Sequence, residues 1–250
     1  MWRHGKSKTL IAMEIILRPI LGAITKRDYR GIEKLPKSGG YVIAANHNSH
    51  TDPLLLARFV LDAGLIPRYL AKESLFKHWF MKRLVIPCEQ IPVGRYSDRA
   101  KNALGPAEDA VRDGKQVLIY PEGTLTRDPD AWPMSGRTGA VRVALATGAP
   151  LIPVCQNGAQ DVLWPYTRKF RLFPRKRYTI VVGEPMDLSM YAGKPLTEEI
   201  LHEATDRLMD TLTDMMSDIR GVRPIGPRVD VHTVEKHTKL GDTKRSSGGH

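Results

Sequence analysis

Short apolar runs that alternate with helical patterns are the feature that most constrains the fold of this chain. A short, buried strand is predicted at residues 41–45, and further strands are predicted at residues 116–120, 151–155 and 178–182. Shorter strands are predicted at residues 68–71 and within residues 85–92. Helices are predicted at residues 52–60, 74–84, 97–113, 137–147 and 197–220. This alternation predicts an α/β fold, with a central mixed sheet flanked by helices.

The length of the chain favours a single principal domain with additions at its ends. At 250 residues it is long enough for one sizeable α/β domain and short for two. We expect an amphipathic helical segment over residues 1–27, a main domain over residues 28–220 and a flexible tail over residues 221–250. A polar connector with a short edge strand is expected at residues 28–40, and Gly105-Pro106 is expected to kink its helix. The tail is rich in Pro, Gly, Ser, His and charged residues, and has few apolar anchors.

The first helix is amphipathic and too interrupted to span a membrane. Glu14 and Arg18 lie four residues apart on one face. The apolar residues near the other face are Leu10, Met13, Leu17, Ile20, Leu21 and Ile24. We expect this helix to dock in a membrane interface, with packing on the protein's own core as the alternative. The aromatic and basic residues at 74–84 suit either a membrane surface or a half-buried helix.

The charge of the chain indicates an anionic partner. The formal net charge is +11, and residues 168–177 contain six basic residues and no acidic one. Nucleic acid, an anionic membrane or a phosphorylated substrate would each fit. A nucleic-acid-binding protein is therefore the alternative from a different class, although no recognition helix or zinc module is evident. The two cysteines, Cys88 and Cys155, favour a reducing compartment.

A histidine precedes an aspartate by five residues at the corner between the first buried strand and the next helix. His47 lies in the expected loop at residues 46–51, and Asp52-Pro53 begins the helix, since Asp is a preferred cap and Pro fits a first turn. An imidazole held by a carboxylate is a general base near neutral pH. Alternatively, Asp52 only caps its helix. Polar residues also follow Val93 and Tyr120, and we expect all three signals to meet at one edge of the sheet.

Four blocks in this order resemble those of the glycerolipid acyltransferases, which include 1-acylglycerol-3-phosphate and glycerol-3-phosphate acyltransferases. Residues 46–52 read Asn-His-Asn-Ser-His-Thr-Asp and match the first block. Residues 91–95 read Ile-Pro-Val-Gly-Arg, are followed by Ser-Asp-Arg-Ala at 97–100, and match the second. Residues 120–124 read Tyr-Pro-Glu-Gly-Thr, and residues 149–154 read Ala-Pro-Leu-Ile-Pro-Val. The main domain at residues 28–220 would then be the acyltransferase domain.

The resemblance implies a role for each matching residue. His47 would be the general base that deprotonates the acceptor hydroxyl, and Asp52 would orient it. The residues implied for acceptor and phosphate binding are Lys72, Arg95, Glu122, Gly123 and Thr124, and Pro153 would shape the acyl-donor site. The hydroxyl of 1-acylglycerol-3-phosphate, a lysophospholipid, would attack the thioester of acyl-CoA or acyl carrier protein and give phosphatidate. No metal or further cofactor is implied, and the enzyme would sit peripherally on the cytoplasmic face of the cell membrane.

The third block departs from the family at one position. The family usually has arginine after Glu-Gly-Thr, to bind the phosphate, and this chain has Leu125 there. Arg127 and Arg137 are the two candidates to replace it. The acceptor is therefore open, with glycerol-3-phosphate or another phosphorylated or glycosylated lipid as the alternative. His50 is expected to form loop hydrogen bonds. Ser49 has no nucleophile motif of its own.

Overall fold

The centre of the protein is a five-stranded mixed sheet, as predicted. The computed structural model describes residues 6–94, 103–231 and 233. The strands are β1 (Thr25–Arg30), β2 (Tyr41–Ala45), β3 (Leu70–Lys72), β4 (Ile91–Val93), β5 (Gln116–Ile119), β6 (Leu151–Asn157) and β7 (Lys176–Val182). The sheet has the order β1-β7-β6-β2-β5, and β3 pairs with β4 in a separate two-stranded sheet.

The direction of the strands decides what meets at each edge of the sheet. The strands β5, β2 and β6 are parallel, whereas β7 runs antiparallel to β6 and β1 runs parallel to β7. The carboxyl ends of β2, β5 and β6 therefore share one edge with the amino ends of β7 and β1. The single parallel bridge between Tyr69 and Leu118 places β3 beside β5.

Helices cover both faces of the sheet and bury it. They are α1 (Lys8–Ile24), α2 (Asp52–Asp62), α3 (Glu73–Lys77), α4 (Trp79–Val85), α5 (Gly105–Arg112), α6 (Gly139–Thr147), α7 (Ala159–Val162) and α8 (Glu198–Arg220). Successive side chains of a strand point to opposite faces. Val42 and Ala44 accordingly pack with α5, α6 and α8, whereas Tyr41 and Ile43 pack with α1 and α2. Burial on both faces explains why β2 is apolar throughout.

Most of the apolar face of α1, which was expected to dock in a membrane, packs on the protein's own core. Leu10 and Leu21 are buried, and Met13, Leu17 and Ile24 pack against the core. The apolar residues that α1 exposes are Ile15, Ile16 and Ile20. In the described part of the chain, no helix has both the length and the apolar character to cross a membrane.

Ion pairs attach α1 to the helix that follows β2. The carboxylate of Asp62, the last residue of α2, contacts the guanidinium groups of Arg18 in α1 and Arg27 in β1. Arg58 also donates to the backbone oxygen of Arg18 at 2.5 Å. Residues 25–27 belong to β1, so the sheet begins inside the segment that was predicted to be helical.

Two other boundaries differ from the prediction. The helix expected at residues 74–84 is divided into α3 and α4 at His78. Gly105 and Pro106 begin α5 and do not kink it, because a proline ring fits the first turn of a helix. Residues 97–102 of the predicted helix lie outside the described residues.

The chain remains attached to the domain beyond the predicted start of the tail at Gly221. The backbone N–H of Ser135 donates to Val229 at 2.9 Å, and Val231 donates to the hydroxyl of Ser135 at 2.9 Å. Val231 is also fully buried. The expected tail is therefore wrong for residues 229–231, and residues 234–250 lie outside the described residues.

Candidate active site

The loops after β2 and β5 meet at the carboxyl edge of the sheet, as predicted. A pocket of about 660 Å³ lies there, and its walls include His47, Lys72, Val93, Thr124 and Arg137. The polar segments that follow Ala45 and Tyr120 therefore lie close together, and Val93 at the end of β4 lines the same pocket. The expected phosphate ligand Arg95 lies outside the described residues.

His47 is held by a buried carboxylate. Its Nδ1 atom lies 3.0 Å from Oδ2 of Asp52, which is fully buried. The same oxygen accepts the backbone N–H groups of Asn48 at 2.5 Å and Ser49 at 2.7 Å. The carboxylate therefore turns back onto the preceding loop. Thr51 stands at the N-cap position of α2, where the sequence predicted Asp52, and its side chain forms no cap hydrogen bond. This contact assigns the proton to Nδ1 and leaves Nε2 as the basic nitrogen.

A stack of aromatic rings fixes the orientation of the imidazole, and the sequence did not reveal it. The ring of Tyr120 lies 4.1 Å from that of His47, centroid to centroid, at an angle of 15°. The ring of Tyr69 also stacks with that of Tyr120, at 5.9 Å between centroids, and its hydroxyl donates to the backbone oxygen of Pro53 at the start of α2. Burial raises the pKa of both tyrosines well above the usual value, so the phenols stay neutral. The rings provide a rigid apolar wall behind the base.

Glu122 supports the loop of His47 from inside the protein. Its carboxylate is fully buried and accepts the backbone N–H groups of His47 at 2.7 Å and Met134 at 3.2 Å. Burial raises the pKa of Glu122 to about 8, although both hydrogen bonds lower it. The sequence placed Glu122 among the residues that bind the acceptor. In the structure Glu122 is not among the residues that line the pocket, and its carboxylate binds the backbone of His47 and Met134.

Two further contacts hold the loop at residues 46–52. The side chain of Asn46 donates to the backbone oxygen of Gln156 and accepts the backbone N–H of Gln156 at 2.8 Å, which joins the loop to β6. The hydroxyl of Ser49 donates to the backbone oxygen of Leu163 at 2.7 Å. The hydroxyl of Ser49 thus donates to a backbone oxygen, whereas a nucleophilic serine would donate to a general base. His50 is exposed on the rim of the pocket.

The structure distinguishes the two arginines that were candidates for the phosphate. Arg137 lies in the pocket wall, where its Cδ and Nε atoms pass 2.8 Å from the position that a Cβ on Gly123 would take. Gly123 has a φ of +65°, so glycine is required there for conformation and for space. Arg127 instead stacks its guanidinium 3.9 Å from the ring centroid of Tyr166. Arg137 therefore belongs to the pocket, and Arg127 supports its outer wall.

The remaining predicted residues divide between the pocket and the core. Lys72, at the end of β3, and Thr124 both line the pocket. Pro153 is buried in β6, opposite Ala44 in the middle of the sheet. The structure therefore places the expected acyl-donor residue in the core, away from the pocket wall.

An apolar cavity lies next to the pocket. It has a volume of about 370 Å³ and is enclosed mainly by α1, α2 and α4. Pro53, Tyr69, Val85 and Gln90 line both this cavity and the pocket of His47, so a shared wall separates the two. Across residues 6–94 and 103–231, no group of three or more His, Cys, Asp or Glu side chains is arranged to hold a metal ion.

The sequence of the chain matches a known protein family and several known proteins. A family model described as Acyltransferase matches residues 26–157. The chain is 33% identical over 125 residues to a 1-acyl-sn-glycerol-3-phosphate acyltransferase of Borreliella burgdorferi, which covers 50% of this chain and 48% of that protein. It is 28% identical over 144 residues to the chloroplastic 1-acyl-sn-glycerol-3-phosphate acyltransferase BAT2 of Brassica napus, covering 55% and 39%. The chain thus spans about half the length, or less, of these curated relatives.

A solved structure supports the fold. The chain resembles the crystal structure of the 1-acyl-sn-glycerophosphate (LPA) acyltransferase PlsC from Thermotoga maritima, with a TM-score of 0.60 and 21% sequence identity. The match covers 83% of this chain and 79% of that one. At this identity the likeness concerns the architecture, a mixed sheet flanked by helices.

Proposed function

Because the chain belongs to the acyltransferase family, we propose that it transfers a fatty acyl group from acyl-CoA to the free hydroxyl of 1-acylglycerol-3-phosphate. The observation that carries this proposal is the contact between His47 and Asp52 at the wall of a pocket that also contains Arg137 and Lys72. A general base beside two cations is the combination that a phosphorylated alcohol requires. The product would be phosphatidate.

The proposed reaction is a direct transfer. His47 Nε2 takes the proton of the acceptor hydroxyl as its oxygen attacks the thioester carbonyl carbon. The tetrahedral intermediate then collapses, the carbon–sulfur bond breaks, and the imidazolium returns the proton to the thiolate of CoA. The buried carboxylate of Asp52 stabilises the imidazolium between these two steps. No acyl-enzyme intermediate is needed, which agrees with the structural role of the Ser49 hydroxyl.

The phosphate of the acceptor would be bound by Arg137 and Lys72. A guanidinium can contact two phosphate oxygens at once, and an ammonium adds a point charge. Gly139, the first residue of α6, also lines the pocket, so the positive end of this helix dipole faces the same space. These three features support a phosphorylated acceptor although Leu125 replaces the usual arginine.

The neighbouring apolar cavity would hold a fatty acyl chain. Its volume of about 370 Å³ falls in the ordinary range for ligand pockets, and its lining suits hydrocarbon. Lipid substrates also fit a peripheral enzyme on the cytoplasmic face of the cell membrane, with the exposed Ile15, Ile16 and Ile20 of α1 in the interface. Acyl carrier protein remains the alternative donor, and glycerol-3-phosphate or another phosphorylated or glycosylated lipid the alternative acceptor.

The test is a product analysis with matched variants. The purified protein is offered acyl-CoA and acyl carrier protein donors with 1-acylglycerol-3-phosphate and glycerol-3-phosphate, and the products are identified by mass spectrometry. His47→Ala should abolish transfer, while His202→Ala, at an exposed position on α8, should not change it. Transfer that survives in folded His47→Ala would contradict the assigned base. Transfer only to glycerol-3-phosphate would replace the proposed acceptor.

A further inference from the structure

The mostly exposed segment at residues 164–177, here called the basic loop, follows α7 and extends into the first two residues of β7. We propose that the basic loop binds an anionic lipid bilayer and brings the pocket of His47 to the bilayer surface. The proposal depends on the proposed function in one respect only, namely that the acceptor is a lipid of that bilayer. It assigns to this loop a docking role that is separate from that of α1.

The loop exposes large apolar side chains in a cluster. Phe173 is 75% exposed and Phe170 is 60% exposed, and Leu172 lies between them with 39% exposed. Clustered apolar side chains on a protein surface indicate a binding surface, and aromatic side chains favour the interface of a membrane. Trp164 at the start of the loop is also 40% exposed. The apolar groups are therefore available for insertion between lipid headgroups.

The charge of the loop selects anionic lipid as the occupant. Its basic residues are Arg168, Lys169, Arg171, Arg175, Lys176 and Arg177, and the loop contains no acidic residue. Each basic residue close to an anionic bilayer strengthens binding by about fivefold. A second copy of the chain would oppose these six cations with the same six cations, which disfavours self-association through this surface. Apolar groups surrounded by cations fit an anionic bilayer best.

The loop has a defined shape, because its middle and its later part are attached to the domain. The backbone N–H of Arg171 donates to Val162 at 2.8 Å, and Leu163 forms an antiparallel bridge with Phe170. The guanidinium of Arg175 donates to the backbone oxygens of Gly22 at 2.7 Å and Thr25 at 2.9 Å. The loop is thus joined to the carboxyl end of α1.

The loop also forms part of the entrance to the site. Tyr166 lines the pocket of His47, and it lines a second cavity together with His50 and Phe170. The hydroxyl of Ser49, in the same loop as His47, donates to Leu163 at the base of the basic loop. A lipid headgroup beside the basic loop would therefore lie at the opening of the pocket. This position would allow transfer of the acceptor from the bilayer without passage through water.

The first experiment measures binding to vesicles by co-sedimentation. The full chain is mixed with vesicles of phosphatidylcholine containing about one third phosphatidylglycerol, or of phosphatidylcholine alone, at about 0.15 M salt. Leu172→Ser/Phe173→Ser should weaken binding to anionic vesicles by at least about tenfold. Lys169→Glu/Arg171→Glu should weaken binding to anionic vesicles by at least about tenfold. Lys169→Arg/Arg171→Lys, which keeps both positive charges, should bind like the parent.

The control variants lie at the opposite edge of the sheet. Met190→Ser removes an apolar side chain that is 50% exposed, and Lys37→Glu/Lys194→Glu makes the same change in net charge. Both should bind vesicles as the parent does. If Lys37→Glu/Lys194→Glu loses as much binding as the charged loop variant, attraction by net charge explains the result and the proposal fails. If Met190→Ser loses as much binding as the apolar loop variant, the apolar contribution is not specific to the loop and the proposal fails as well.

The second experiment separates docking from catalysis. Leu172→Ser/Phe173→Ser should acylate a short-chain, water-soluble acceptor at the parent rate and lose at least about tenfold on an acceptor embedded in vesicles. A parent protein that binds vesicles but acylates neither acceptor would contradict the proposed function and leave the loop assignment supported. Loop variants that bind anionic vesicles like the parent would overturn the loop assignment. A parent that ignores vesicles and binds duplex DNA or dimerises through the loop would overturn it as well.

Discussion

Replacing Asp52 by asparagine tests the proposed mechanism most directly. The substitution removes the negative charge that faces His47 and keeps an oxygen of similar position. Two unit charges 3.0 Å apart interact by about 5.5 kcal/mol at an effective dielectric constant of about 20. If this energy stabilises the imidazolium only after proton transfer, its loss lowers kcat by up to about 10⁴-fold.

The fold should tolerate this change, which separates charge from structure. The amide oxygen of Asp52→Asn can still accept the backbone N–H groups of Asn48 and Ser49. Asp52→Ala removes the acceptor of both N–H groups, and each buried unpaired group costs about 1–3 kcal/mol. We therefore expect Asp52→Asn to melt near the parent temperature and Asp52→Ala to melt roughly 10 °C lower.

The assay follows the release of free CoA thiol with saturating acyl-CoA and acceptor, together with thermal unfolding of each variant. We expect kcat to fall by about 10³–10⁴-fold for Asp52→Asn with a nearly unchanged melting temperature. If Asp52→Asn retains more than about a tenth of the parent kcat, the charge contributes less than about 1.4 kcal/mol and the proposed role of Asp52 is wrong.

Three further predictions concern the pH dependence, the acceptor and the acyl chain. The pKa of Glu122 is raised from 4.5 to about 8 in the folded protein. Its contribution to the free energy of unfolding is therefore complete below about pH 4.5 and is lost by about pH 8, because the unfolded chain releases this proton first. Denaturant titrations should show that Glu122→Gln removes a decrease of about 1.4 kcal/mol per pH unit in that window. Arg137→Ala should raise the KM for the acceptor by at least about tenfold with little change in its thermal stability, while Arg127→Ala should change that KM by less than about threefold. Ala57→Phe, which fills part of the apolar cavity, should shift the preferred acyl-CoA towards shorter chains in a competition assay, and an unchanged product distribution would contradict the cavity assignment.

The alternation of apolar runs and helices was sufficient to predict the mixed sheet and the edge at which the site forms. His47 and Asp52 were also predictable, because their contact is local and depends only on a short loop before a helix. The face of α1 was not predictable, since helical periodicity shows where apolar residues lie and does not reveal whether protein or lipid covers them. Leu21 packs on the core and Ile20 faces outward, although both belong to the same apolar pattern.

Residues whose roles depend on distant contacts were assigned less well. The stack of Tyr69 and Tyr120 on the imidazole requires β3 to lie beside β5, a pairing between segments about fifty residues apart. Gly123, between Glu122 and Thr124, takes a left-handed conformation that the sequence analysis did not predict, and Arg137 passes close to it. The carboxylate of Glu122 is buried, and an arginine later in the chain occupies the pocket wall.

Because β7 and β1 run opposite to the other three strands, different parts of the chain gather at the two ends of the sheet. Because these two strands begin at the edge where β2, β5 and β6 end, the end of α1, the basic loop and His47 all gather at one pole. The other pole holds the turns near Gly39 and Gly193, where the structure has open space around both glycines. A fluorescent label or an affinity tag inserted at that pole would lie away from the pocket of His47 and from the surface proposed to bind lipid, and would report on the protein without blocking either.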